Sequence, residues 1–400
     1  MAVRSKVDYW RELISAADLR RQETADRQEW ALMKKIWDSG NAAKVVLHQD
    51  RENEVEGAFV NYVWAFAQTF IPAVYWRHPV VYVFPRREAD QHKARIAQAR
   101  LRVAFQETNF RRHLMLALQD MLIYGHGWIK LGWYTEVGQV PGSPSKGKLS
   151  TVDHELYLYH DAPYAYRVSP ERIYVDPDAS DYSEVRWIAQ EYYRPLEAVR
   201  RDPYLRDTRN VSVVHFRDIR GVTPFQTEAV SETDQYVRIY EIWDREDGVV
   251  RILCEGSDTW NRVIDHWPYP GIYGFPFKFL AVTDAIDSFY PSSPILPWLP
   301  LVLELSEFRA LRMDHTRRIV SKFMIQEGAM SEDQVRQFQD PAAEIVFAHD
   351  IDRIREFRGL QPDPNLYAAE EAIKKDIREI SGFSELLSGS VPFSRIAATT

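Results

Sequence analysis

The strongest constraint in this chain lies between Pro294 and Thr400. The residue pattern predicts a helix over about Pro297–Glu327, a compact charged excursion over about Gly328–Gly359, a second helix over about Asn365–Ser381, and a loop into the C-terminus. A helix of about 30 residues spans roughly 45 Å, longer than most globular domains need. Leu301, Leu305, Phe308, His315, Ile319 and Phe323 form one stripe on it, while Arg309, Arg312, Arg317, Arg318 and Lys322 decorate its other faces. In the second helix Leu366, Ala369, Ile373, Ile377 and Ile380 recur at nearly heptad spacing, and Gly382 is its cap. Such a hairpin cannot bury both faces alone. Either it packs on the body of one domain, or neighbouring copies pack side by side and line something.

The excursion between the helices is acidic. From Glu327 to Phe357 there are eight acidic and three basic residues, a local charge of −5. Ser331-Glu332-Asp333-Gln334 reads as a helix start with a serine cap and acids in the first turn. Glu344–Ala348 and Ile351–Phe357 alternate as two short strands.

Upstream, residues 1–135 are predominantly helical by period. Val7–Asp38, Glu54–Thr69, Arg86–Phe105 and Phe110–Tyr124 read as helices, the last stopped by Gly125-His126-Gly127. His78–Pro85, bracketed by prolines, reads as an edge strand. Between Pro85 and Arg112 eight basic and three acidic residues give a local charge of +5, which a solvated helix face explains. Trp128–Thr135 alternates as a strand, and Val140–Gly147 is a Gly/Pro/Ser loop. From about 150 to 290 the grammar is β. Tyr164–Val168, Ile173–Val175, Val185–Tyr193, Val211–Phe216, Tyr236–Asp244 and Val249–Leu253 are short strands, Gly248 is a hairpin-turn residue, and Pro195–Arg200 is a short helix. The fold class is therefore α+β.

Composition excludes several classes. A chain that is 45% apolar, with 12 Trp and 21 Tyr, has ample material for a core, and a net charge of −8 argues against nucleic-acid binding by wholesale basicity. The single Cys254 rules out an intramolecular disulfide and suits a reducing compartment. The start has no apolar core of signal-peptide type, and Ala58–Phe84, the most apolar stretch, is too interrupted to span a membrane. A soluble intracellular protein is the expectation.

Specific catalytic signatures are absent. The sequence holds no Gly-x-x-x-x-Gly-Lys-Ser/Thr loop, no His-Glu-x-x-His pair and no Gly-x-Ser-x-Gly elbow, and its histidines are scattered. Asp176, Asp178 and Asp181 are the best carboxylate cluster. They can hold a hard cation through oxygen, although Asp-Pro and Asp-Ala-Ser are also ordinary turn chemistry, the weightier reading. Between Leu305 and Ile325 five basic and two acidic residues leave +3, so some of these cations can touch phosphate.

The order of elements resembles the portal proteins of tailed bacteriophages. Leu118–Gly132 looks like the family's helix, Gly-x-Gly turn and strand; Val168–Asp178 like its strand and Asp-Pro turn, followed by Trp187–Val199. Phe275-Pro276-Phe277 and Phe289–Pro294 look like the approach to the first stem helix, with Pro291 or Ser292 where the family often has Gly. Ile380–Gly389 looks like the exit from the second.

The resemblance implies a non-enzymatic structural ring of about twelve subunits at one capsid vertex, assembled in the host cytoplasm and carried in the virion, with no cofactor and no membrane. It maps a mixed α/β wing onto 1–293, stem helices onto 294–327 and 360–382, a small α/β clip onto 328–359, and a tunnel loop with the start of a C-terminal wing or crown onto 383–400. In the family another helix follows that loop, so the end at Thr400 implies a truncated or unusually short portal. Double-stranded DNA would pass Arg395, Ser394, Ser390, Lys374, Lys375, Arg378, Arg317 and Lys322. The large terminase would dock on Glu332, Asp333, Arg336, Asp340 and Glu344, followed by head-completion or adaptor proteins; capsid or scaffold proteins are further partners. The rival readings are a soluble carboxylate- or metal-dependent enzyme centred on Asp176 and Asp178, and another capsid-associated structural protein.

Overall fold

The helix-to-strand turn at Gly125-His126-Gly127 shows how tightly the chain is built. In this computed structural model, which describes residues 6–38, 60–75, 81–139, 156–215, 235–264, 274–318, 322–325, 354–357 and 364–382, Gly125 sits at φ +84°, where L side chains are rarely found. A Cβ on Gly125 would lie 2.1 Å from the Pro291 carbonyl oxygen, and one on Gly127 would lie 2.1 Å from the Ala117 carbonyl oxygen. Ser293 Oγ donates to the Leu122 carbonyl (2.5 Å), pinning the same junction. Here the sequence pattern Gly-x-Gly marks two close backbone approaches.

The chain divides into two compact units: Met1–Lys34 with Ala67–Leu296, and Lys35–Phe66 with Pro297–Thr400. The first opens with α1 (Lys6–Arg27) and α2 (Trp30–Asp38), where one continuous helix was expected. The break is a tertiary effect. Glu29 adopts φ +52°, Gln28 donates its side-chain amide to the Pro291 carbonyl (3.3 Å), and Trp30 packs edge-on against Tyr124 with centroids 5.0 Å apart. α3 (Tyr62–Val74) runs through Pro72, past the expected end at Thr69, while the expected start at Glu54 lies outside the described residues. Residues 81–85 form no strand; the Val83 amide donates to Gln98 Oε1 (3.4 Å), and Tyr82 and Phe84 stand exposed.

α4 (Gln91–Glu107) and α5 (Phe110–Tyr124) follow. α5 packs on a three-stranded antiparallel sheet of order β2-β1-β9, made from β1 (His126–Gln139), β2 (Leu156–Val168) and β9 (Phe277–Ala281). A second antiparallel sheet runs β3 (Ile173–Val175), β4 (Trp187–Pro195), β6 (Gln235–Asp244), β7 (Val249–Cys254) and β8 (Arg262–Ile264), with β5 (Val213–His215) on β6. The expected strands overlap β1 to β7 with shifted ends, β2 starting at Leu156 rather than Tyr164, whereas β8 and β9 were not expected; the short helix α6 spans Leu196–Arg201. Gly248 at φ +66° makes the β6–β7 turn. The core centres on Trp128, fully buried, stacked near Phe289 and edge-on to Phe279, with Phe275, Phe277 and Tyr290 around it. A fully buried Phe contributes roughly 1.5–3 kcal/mol over an exposed one, so this aromatic cluster dominates the unit's cohesion.

In the second unit Asn61 accepts from the Trp64 amide and donates to the Ile36 carbonyl, both at 2.8 Å, while Phe66 packs edge-on to Trp298. α7 spans Leu299–Arg318, not Pro297–Glu327, so its length is about 30 Å. The chain then enters β10 (Lys322–Ile325), antiparallel to β11 (Ile354–Phe357), pairing Lys322 with Phe357 and Ile325 with Ile354. Phe323 therefore belongs to a strand rather than to the helical stripe, and Lys322 is not a helix residue. α8 (Pro364–Ser381) has the expected bounds within a residue and ends at Gly382, φ +65°. Its Ile373 and Ile377 are buried, but Ile380 is 53% exposed, so the apolar seam is shorter than the heptad reading. The expected wing, clip and tunnel-loop boundaries fall partly on residues outside those described: the helix at Ser331, the strand Glu344–Ala348, the loop Val140–Gly147 and all of 383–400.

Candidate functional site

Asp176 closes the turn after β3. Its carboxylate accepts from Arg186 Nε (2.6 Å) and Nη2 (3.0 Å) and from the Asp178 amide (3.3 Å). Arg186 Nη2 also reaches Asp178 Oδ2 (2.6 Å). Burial opposes ionisation of Asp176, but the Arg186 contacts outweigh it and hold the carboxyl below its ordinary range. Asp181 accepts from the Ser183 amide (3.1 Å) and hydroxyl. A cation at this cluster would have to displace Arg186 from both aspartates. Turn chemistry thus accounts for each carboxylate, and no group of three or more metal-ligating side chains occurs among the described residues.

A buried carboxylate joins α7 to α8. Glu370 accepts from Arg309 Nε (2.9 Å), Arg312 Nη1 (2.5 Å) and Lys374 Nζ (3.1 Å). Lys374 also bonds Glu371 (2.6 Å), and Arg312 lies over the Tyr367 ring. Burial pushes the Glu370 carboxyl up, but Lys374 and Arg309 outweigh it and keep it below the usual range. This cluster escaped sequence reading because Arg309 and Glu370 are far apart in sequence; the local signal was a glutamate, the first of the pair Glu370-Glu371, at the inner edge of an amphipathic helix. Its consequence for the expected DNA-facing set is direct. The Lys374 side chain is only 17% exposed and engaged, so it is a helix-pairing residue. Lys375 and Arg378 are exposed on α8, with Lys375 near Glu379 (3.6 Å). Arg317 lies on α7 and Lys322 on β10, their side chains outside the described residues, as are Ser390, Ser394 and Arg395 entirely. Glu332, Asp333, Arg336, Asp340 and Glu344 also lie outside them.

Two buried ion pairs stiffen the first unit. Arg167 grips Asp120 through Nε (2.5 Å) and Nη2 (2.6 Å); burial pushes the Asp120 carboxyl up to about 6 against that grip. Lys130, almost fully buried, donates to Glu241 (2.6 Å) and Gln190 (2.9 Å) beneath Phe277 and Trp243. Both pairs read as structural. α4 is different: of its seventeen residues only Ala94 is buried.

A family model described as phage P22-like portal protein matches residues 76–276, which is half of the chain. The chain belongs to that family. The portal match starts ahead of α4, takes in α5 and β1 to β8, and ends one residue before β9. It therefore contains the Gly125–Gly127 turn, the Asp176 turn and the Trp128 core residue. Portal proteins are a structural family. No curated protein matches the chain, and no described helix is long and apolar enough to cross a membrane.

Proposed function

We propose that this portal protein assembles into a closed ring of about twelve subunits at one capsid vertex. The ring conducts double-stranded DNA during packaging and ejection, and offers a docking platform to the large terminase and then to head-completion or adaptor proteins. The observation that carries the reading is the family match over residues 76–276. Residues 1–293 are the wing. α7 and α8 are the stem helices, α7 ending at Arg318 and the β10–β11 ribbon leading into the clip. Residues 383–400 are the tunnel loop facing DNA, with Ser390, Ser394 and Arg395 on it.

The physics supports a conduit. A pore that passes duplex DNA must not hold it, and each extra phosphate contact tightens binding and steepens its salt dependence. A net charge of −8 with sparse cations suits that task. The −5 excursion between the stem helices suits docking of partners by charge complementarity. Subunits form on assembly in the host cytoplasm and end in the virion.

Light scattering and negative-stain imaging of the purified chain test the reading. Annular particles of uniform size are expected. A monomer without annular particles at every salt concentration would refute it.

A further inference from the structure

The first unit contains a sheet edge without a strand and a strand without a sheet. β1 pairs with β2 from Trp128 to Gln139, but β9 covers its other edge only from His126 to Lys130. The last bond on that side runs from the Leu131 amide to the Pro276 carbonyl (2.8 Å). Main-chain groups alternate in direction along a strand, so Trp133 and Thr135 aim their N–H and C=O the same way as Leu131. Neither is paired on that side among the described residues.

The neighbouring strand fixes this parity. On β2 the Arg167 amide points away from β1 and donates to His113 Nδ1 (3.3 Å), and Pro163, which has no N–H, stands opposite Trp133. The same two features blunt the outer edge of β2, as natural sheets blunt edges that stay unpaired. The free stretch of β1, Gly132–Thr135, carries no proline and no charged side chain, and a register shift at Glu136/Val137 marks its end. Trp133 and Tyr134 are each about half exposed there.

The unmatched strand is residues 81–85. Val-Tyr-Val-Phe-Pro has the β-branched and aromatic composition of a strand. Val81 and Val83 are partly buried while Tyr82 and Phe84 are exposed by 66% and 83%, the alternation of an extended chain. The Val83 amide donates to Gln98 on α4 (3.4 Å), so the main-chain groups of Tyr82 and Phe84 face the other way. Pro85 shares the parity of Val83, and its missing N–H therefore leaves the outer row of donors intact.

We infer that residues 81–84 of one copy add as a strand to the free edge of β1, at Trp133–Thr135, in the next copy. About four main-chain hydrogen bonds form, and the exposed aromatic residues of the two segments become cross-strand neighbours. A second copy is the fitting occupant because the chain itself carries the missing strand and leaves it unpaired with its own β1. The joint sets one surface against a different one, so repetition with a closing rotation generates a ring. The inference rests on the ring reading above and names one joint that closes the ring.

Tyr82→Pro and Tyr82→Thr separate main chain from side chain. Proline removes an outward N–H and should move ring formation to at least about tenfold higher protein concentration, with an unchanged far-UV circular dichroism spectrum. Threonine keeps the donor and should move it by about threefold or less. In Tyr82→Cys/Tyr134→Cys, a short bis-maleimide should give a ladder of covalent oligomers that neither single variant gives; the native Cys254 is buried. A wild type that never forms rings refutes the ring reading and this inference with it. Wild-type-like rings from Tyr82→Pro, equal shifts from Tyr82→Pro and Tyr82→Thr, or no ladder from rings of the cysteine pair overturn the inference and leave the ring reading standing.

Discussion

At the scale of the residue, glycine and aspartate do the work that catalytic side chains would do in an enzyme: they fix geometry. Gly127 has the Ala117 carbonyl where a Cβ would stand, and neither neighbour is the end of a flexible side chain. Gly127→Ala should therefore destabilise the first unit by about 1–3 kcal/mol through backbone displacement, read as a lower denaturant midpoint with unchanged slope. A midpoint equal to that of wild type would show that the α5–β1 turn has slack the structure does not contain. The Gly-x-Gly spacing was legible in the sequence. Why Gly127 is required was not, because the atom it avoids belongs to a residue ten positions earlier, brought back by the packing of α5 on β1.

At the scale of the element, the pairing of α7 with α8 hangs on one carboxylate among three cations. The Glu370 carboxyl is held below its ordinary range, so its contribution is fully present above the unfolded value and is lost as pH falls through the folded one. Glu370→Gln should lower the melting temperature at neutral pH, and the gap between variant and wild type should narrow below about pH 4. A gap independent of pH would mean that Glu370 acts through packing rather than charge. Sequence periodicity found both helices but misplaced the end of α7. Ile319 and Phe323 continue a four-residue spacing, and nothing local says that 322–325 will instead pair with 354–357. Strand pairing across about thirty residues is a non-local choice that hydrophobic period cannot encode. The opposite error affected Val7–Asp38, where a good helical pattern is broken at Gln28 and Glu29 by contacts to Pro291 and Tyr124.

At the scale of the whole molecule, the carboxylates that most resembled a metal or catalytic site are already engaged. Arg186 holds Asp176 and Asp178 together. Asp176→Asn/Asp178→Asn should cost about 1–3 kcal/mol of stability, because Arg186 loses its charged partners, while the size of the assembled particle by light scattering stays that of wild type. Loss of assembly with retained stability would place this turn in a subunit contact instead.

By itself the sequence determined the α+β class, most of the strands but not β8, β9 or β10, both helices of the C-terminal pair, the Gly and Asp turns and the family. These are local: propensity, period and turn chemistry act within a few residues and survive without knowledge of the partner. Only the tertiary structure decided that α7 stops at Arg318, that Lys374 turns inward to Glu370, that residues 81–85 remain outside any sheet and that α4 keeps Ile96, Leu101 and Val103 exposed. Each of those depends on which groups meet across long sequence separations, where the free energy comes from burial and ion pairing between elements that no local pattern specifies.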